Sequence, residues 1–133
     1  TGAHAAPGWT PRRYVNRNCP HTTLTGFYRS ARIGLVTPLR DGMNLVAKEY
    51  VAAQNPDDPG VLVLSLLAGA AQELDGALAV NPHDLDGVAD AIARAATMPL
   101  AQRRERWRPM LDHLLEHDIH AWRKNYLHAL ASA

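Results

Sequence analysis

Four residues with useful chemistry, Asp41, Gly42, Asn44 and Glu49, fall within the stretch TPLRDGMNLVAKEY, residues 37–50. An ionised carboxylate accepts hydrogen bonds and donates none, so Asp41 and Glu49 suit hydroxyl-bearing ligands. Gly42 lets a backbone come close to a ligand, and Asn44 is a natural helix N-cap. A helix beginning at Leu45 presents unpaired N–H groups that favour an anion. Glu49 lies four residues after Leu45, on the same helix face and one turn further in. A phosphate at the helix tip with a carboxylate one turn below suits a nucleotide carrying a sugar diol. The same residues would also make a plain Asp-Gly turn with an Asn cap. The open helix tip and Glu49, together at the end of one expected strand, favour a ligand.

The elements that position these groups can be read from periodicity. Ile33 to Thr37 reads as a buried strand stopped by Pro38, and Leu45 to Gln54 as a helix stopped by NPDDPG, residues 55–60. Strand, turn, helix is the order in which open α/β sheets place ligands. Val61 to Leu64 is apolar without alternation, as expected for a strand covered on both faces of a parallel sheet. Gly69 to Leu74 reads as a turn or short helix, and Ala77 to Val80 as a further strand. Upstream, residues 1–8 read as a loop, Tyr14 to Asn16 as a short strand, and Pro20 to Thr23 as a turn with Thr22 or Thr23 as N-cap. Leu24, Phe27, Tyr28 and Ala31 then follow at helical spacing.

Downstream, Asp84 or Asp86 caps a helix whose expected stripe is Leu85, Val88, Ala89, Ile92, Ala93 and Ala96. Residues 100–117 read as a charged helix burying Trp107, Met110, Leu111, Leu114 and Leu115, with a kink or break at Pro109. A last helix from about His120 to Ala131 is expected to bury Trp122, Tyr126, Leu127 and Leu130. The basic run Arg103 to Arg108 reads as a solvated helix face. Repeated strand-then-helix order predicts an α/β fold, a partial Rossmann-like parallel sheet flanked by helices.

The chain has 133 residues and a formal net charge of +1. That balance argues against a nucleic-acid partner, and no apolar run reaches the ~18 residues of a membrane span. Cys19 is the single cysteine, which excludes an intrachain disulfide and suggests a reducing, cytoplasmic setting. The chain opens without Met, as a fragment or a processed chain would.

Residues 37–54, TPLRDGMNLVAKEYVAAQ, closely resemble the signature of trehalose-6-phosphate synthases, retaining glucosyltransferases of the two-domain GT-B fold. Gly8 to Pro11 (GWTP), Tyr14 to Arg17, Pro59 to Ser65 (PGVLVLS), Ala68 to Ala71, Val80 to Pro82, and Asp118-Ile119 with Trp122 resemble other family segments, so the likeness covers nearly the whole chain. It implies that residues 1–133 are a single, partial nucleotide-sugar-binding domain, the C-terminal donor side of a GT-B glycosyltransferase. Residues 1–20 would form its N-terminal loop and short strand, and residues 100–133 its C-terminal helices.

The implied reaction moves glucose from UDP-glucose to glucose 6-phosphate with retention; similar enzymes use GDP-glucose or another acceptor such as glycerol 3-phosphate. By position, Asp41, Gly42, Met43 and Asn44 would bind the donor sugar, Leu45 and Val46 the diphosphate through backbone N–H, and Glu49 the ribose. Cys19 stands where the family usually has a larger apolar residue near the nucleobase. No residue is assigned as catalytic, and no cofactor beyond the donor substrate is implied.

The family's acceptor pocket lies in an N-terminal domain, and its phosphate-clamping Arg and Lys lie upstream of the matched segment. The chain is therefore expected to be inactive alone and to pack against that missing portion or another copy. The competing reading is a non-catalytic homologue acting as a nucleotide-sugar-binding or interaction module. A rival motif, His113-Leu114-Leu115-Glu116-His117, has the spacing of inverted zinc peptidases. It lacks a third ligand on a second helix, so no metal is expected.

Overall fold

A computed structural model describes residues 14–132. The loop expected over residues 1–8 and the Gly8–Pro11 segment lie outside them. In chain order the described elements are α1 (His21–Ser30), β1 (Ile33–Val36), α2 (Leu45–Ala53), β2 (Val61–Ser65), a short 3-10 helix (Gly69–Gln72), β3 (Leu78–Val80), α3 (Leu85–Thr97), α4 (Leu100–Glu116) and α5 (Ile119–Ala131). The strands form one parallel sheet in the order β1-β2-β3. Ile33 pairs with Val61 and Val36 with Leu64, while Val63 pairs with Leu78 and Ser65 with Val80. The expected α/β architecture of a parallel sheet flanked by helices is the one observed.

All five residues of β2 are buried. Successive side chains of a strand point to opposite faces, so β2 feeds two cores. Leu62 and Leu64 join Ala47, Tyr50, Val51, Trp107 and Met110 beneath α2 and α4. Val61 and Val63 join Leu78, Val80, Ala91, Ala95 and Met98 beneath α3. Burial on both faces explains why β2 reads as an unbroken apolar run.

Tyr50 locks α2 onto the sheet. A Cβ on Gly34 would sit 2.9 Å from the Tyr50 ring, so the ring lies flat on β1 only because Gly34 has no side chain. The phenol donates to Ala31 O at 3.0 Å. Burial pushes its pKa up to about 12. Gln54, also buried, closes the helix end: its amide nitrogen donates to Tyr28 O at 2.7 Å, and its Oε1 accepts from Gly60 N at 2.8 Å.

Several expectations need correction. Tyr14 to Asn16 is not a strand; no strand among the described residues supplies it with a ladder, and Tyr14 stands exposed. Thr22 and Thr23 do not cap α1, which already begins at His21 behind Pro20. Asp84, not Asp86, caps α3, accepting from Gly87 N at 3.0 Å. The buried face of α3 is Ala91 and Ala95 with Val88 beside them, whereas Leu85, Ala89, Ala93 and Ala96 are exposed. Alanine lies all around this helix, and the face that packs is the one whose small side chains let the backbone approach β2 and β3.

The helix α4 is continuous through Pro109. Pro109 and Glu105, whose carbonyl loses its helical donor there, both lie on the exposed side, where water can take the donor's place. The basic run is not simply a solvated face. Arg103 is buried, donating to Met98 O at 3.2 Å and to Pro59 O, and pairing with Asp58 at 2.7 Å. Arg104 reaches Asp57 O and Arg106 reaches Gly76 O. Trp107 is buried as expected and donates from Nε1 to Val51 O at 2.9 Å.

Leu115 is exposed, and α5 does not bury the stripe assigned to it. Trp122, Tyr126, Leu127 and Leu130 are each more than half exposed, with Trp122 and Tyr126 stacked at 5.2 Å.

Candidate functional site

The turn between β1 and α2 is held by its own side chains. Gly42 N donates to Asp41 Oδ1 at 2.8 Å, and Asn44 Nδ2 donates to Asp41 Oδ2 at 2.5 Å. Asn44 Oδ1 in turn accepts from Ala47 N at 2.9 Å, capping α2. Asn44 adopts φ 54° and ψ 81°, and it alone among the described non-glycine residues has positive φ. Asparagine tolerates the left-handed region better than most residues, and such a conformation at a helix entry is held in place by its surroundings. Each Asp41 oxygen gives one lone-pair direction to the turn and keeps another for an outside donor.

At the tip of α2, Ala47 N–H is satisfied by the cap. The Leu45 and Val46 N–H groups belong to the first turn, where no intrahelical acceptor exists, and they have none among the described residues. The side chains of Met43, Leu45 and Val46 are exposed around this tip. An anion placed there would meet two backbone donors and the positive end of the helix dipole.

Glu49 and Met43 line a cleft of about 760 Å³ bounded by α2, the end of α4 and the start of α5. Lys48, His113, His117 and Trp122 are on its walls. Glu49 is half-buried, and its carboxylate lies against the Tyr28 phenol, whose pKa is raised first by burial and then by that charge. Lys48 is paired: its Nζ lies 2.7 Å from Glu73 Oε2. The Glu73 carboxyl is held below the usual range, first by the hydrogen bond from Lys48 and then by that residue's charge and by His113, despite the opposing effect of burial.

Asp41, Gly42 and Asn44 thus come together with the α2 tip, while Glu49 and Met43 face one cleft. Cys19 lies in the segment before α1, with its thiol against Arg17 O at 3.8 Å, and is not part of the cleft wall. Neither the Lys48–Glu73 pair nor the Tyr28–Glu49 contact was assigned from sequence. Helical spacing marks neither, because each joins separate elements. His113 and His117 stack at 4.1 Å, with His113 Nε2 3.5 Å from Glu73 and His117 Nδ1 against His113 O. Among the described residues, no group of three or more His, Cys, Asp and Glu could hold a metal ion. No described helix is long and apolar enough to cross a membrane.

An open parallel sheet, a helix tip whose Leu45 and Val46 amides have no acceptor among the described residues, and a carboxylate one turn below make an α/β unit of a kind suited to a nucleotide. Comparison narrows the class: the sequence profile of glycosyltransferase family 20 matches residues 2–132, and the chain belongs to that family. A trehalose-6-phosphate synthase of Sinorhizobium fredii is 59% identical over 132 residues, covering 99% of this chain and 28% of the relative. A solved Burkholderia xenovorans α,α-trehalose-phosphate synthase (UDP-forming) in complex with glucose-6-phosphate superposes with a TM-score of 0.92 at 56% identity, over 96% of this chain and 28% of that one. An E. coli structure bound with UDP-2-fluoro glucose gives 0.92 at 54% identity, over 96% and 28%. The chain therefore spans less than a third of the length of the relatives it matches.

Proposed function

We propose that this chain forms the donor-binding side of a trehalose-6-phosphate synthase, which moves glucose from UDP-glucose to glucose 6-phosphate with retention. The observation that carries the reading is the hydrogen-bonded series Asp41–Asn44–Ala47 at the tip of α2, with Glu49 one turn below. In this reading Asp41 accepts from a glucose hydroxyl, and the backbone of Gly42, Met43 and Asn44 lines the sugar. Leu45 and Val46 N–H hold the diphosphate, and Glu49 takes the ribose diol. Helix-tip amides also stabilise charge that develops on a departing diphosphate. Support comes from relatives solved with a fluorinated UDP-glucose and with glucose 6-phosphate.

Residues 1–133 act here as one partial domain, and the acceptor pocket and further phosphate contacts belong to the rest of a longer protein. The apolar face of α5 and the edge of β1, which no described residues cover, are where that remainder or another copy packs. The single cysteine and the nucleotide-sugar donor favour a cytoplasmic setting. In this reading Cys19 stands near the nucleobase, and if the contact there is through packing, its small side chain alters the nucleotide preference. No metal or other cofactor enters the reaction in this reading.

The test is a transferase assay on the 133-residue chain, alone and joined to the upstream two-thirds of a relative. The expected outcome is no turnover alone and UDP release when joined. Absence of turnover in the joined protein, with both halves folded, would overturn the assignment.

A further inference from the structure

We propose that Gly69 is a positioning residue for the sugar-binding turn, an inference that rests on the donor role assigned to Asp41. The turn is attached to the segment after β2 as a continuation of the sheet. Asp41 N donates to Leu67 O at 3.2 Å, Gly69 N donates to Gly42 O at 2.7 Å, and Asp41 and Ala68 form a parallel bridge. These contacts set how far Asp41 stands from the end of β2.

The missing side chain at Gly69 is what allows the approach. A Cβ there would lie 2.6 Å from Gly42 O and 3.1 Å from Gly42 C. The obstacle is backbone, so no rotamer change can relieve it. Ordinary contact begins near 3.4 Å, so the turn would have to retreat by about 0.8 Å. The glycine is not there for its backbone freedom: its φ lies outside the left-handed region, and it opens a 3-10 helix that alanine can join. Gly69 is itself exposed, so an added methyl meets the turn and little else.

The displacement would be selective. Gly42 N and Asn44 Nδ2 hold the two oxygens of Asp41, so moving Gly42 moves that carboxylate. The body of α2 is anchored independently, by buried Ala47, Tyr50 and Val51 and by the Lys48–Glu73 pair. The Leu45 and Val46 amides and Glu49 therefore stay in place. Gly69 then governs recognition of the sugar and leaves recognition of the nucleotide alone.

The test is calorimetric titration of the 133-residue chain with UDP-glucose and with UDP, for the wild type, Gly69→Ala, Asp41→Asn and the double variant. Loss of a hydrogen bond to an ionised group costs roughly 10- to 100-fold in affinity. Gly69→Ala is expected to weaken UDP-glucose by about that factor and UDP by less than about twofold. The double variant should bind UDP-glucose no more weakly than Asp41→Asn alone, because Gly69 acts through Asp41. Equal weakening of both ligands, no weakening, or additive losses in the double variant would each overturn the proposal. Dependence on Asp41 without dependence on Gly69 overturns this inference alone, whereas UDP-glucose affinity indifferent to Asp41 overturns the parent reading with it. Should Gly69→Ala fail to fold, amide exchange in the unaltered chain decides. UDP-glucose, but not UDP, should slow exchange at the Asp41 and Gly69 amides; unchanged exchange counts against the proposal.

Discussion

Replacing Asn44 separates the strain of the turn from its chemistry. Asn44 does three things: it occupies the left-handed region at φ 54°, caps Ala47 N at 2.9 Å, and holds Asp41 Oδ2 at 2.5 Å. Asn44→Ala loses the cap, at about 1 kcal/mol, and keeps a Cβ in a conformation that costs about 1–2 kcal/mol. Part of that conformational cost is already present with asparagine, so the expected net loss is about 2 kcal/mol. Asn44→Gly gives up only a few tenths of a kcal/mol as a cap and removes the strain. It adds roughly 0.4–1 kcal/mol of unfolded-chain entropy, which leaves a net cost of about 0.5 kcal/mol. The two variants should differ by about 1.5 kcal/mol, or roughly 6 °C in Tm for a chain of this size.

Both variants lose one of the two hydrogen bonds that restrain Asp41, the one from Asn44 Nδ2. Restraining such a side chain afresh on binding costs about 0.5–1.5 kcal/mol, so UDP-glucose should weaken about 3- to 10-fold in each, relative to UDP. Thermal unfolding followed by circular dichroism, together with titration of both ligands, reads the two effects separately. Equal destabilisation by Gly and Ala would refute the assigned strain. An unchanged preference between UDP-glucose and UDP would refute the role of Asn44 in orienting Asp41.

Trp107→Ala removes the largest side chain of the α2–α4 core and the indole donor to Val51 O, and should cost about 4 kcal/mol in urea unfolding; a loss under about 1 kcal/mol would contradict the packing. Tyr50 titrates at about 12 in the fold against an ordinary 10.0, so its contribution is full below pH 10 and is lost as the pH rises from about 10 to 12. Stability should fall by on the order of 2 kcal/mol across that window, and Tyr50→Phe should flatten the fall. Glu73 has the opposite sign. Its lowered pKa contributes stability above its ordinary 4.5 that is lost as the pH falls through the folded value, and Lys48→Met should blunt that acid-side loss.

The elements that carry the site were legible in the sequence because each bore its own local signal. The helix α2 has a stop in NPDDPG and an N-cap in Asn44, and β2 has an apolar run too dense for an exposed strand. The faces of the peripheral helices were less legible. Alanine-rich α3 carries apolar residues on more than one side, and periodicity alone cannot say which side the sheet takes. The stripe of α5 is real but is not covered by any described residues, since what covers an amphipathic helix is not written in its own residues. Arg103 was hidden among neighbours of the same charge. Its place was nonetheless readable, because it precedes Trp107 by four residues and so shares the stripe that buries Trp107 and Met110. In the site, the Asp41–Asn44–Ala47 series was local and so foreseeable as a capped turn. The ties from the turn to Leu67 and Gly69, and from Lys48 to Glu73, join separate elements and needed the fold.

In the proposed function residues 41–49 read a nucleotide sugar, with Glu49 on the ribose. Calorimetric titration of UDP into the wild-type chain and into Glu49→Ala tests it most directly. Hydrogen bonds to an ionised group contribute about 1.5–3 kcal/mol, so the substitution should weaken UDP roughly 10- to 100-fold while leaving the fold intact. Binding of UDP with the same Kd in both proteins would contradict the claim.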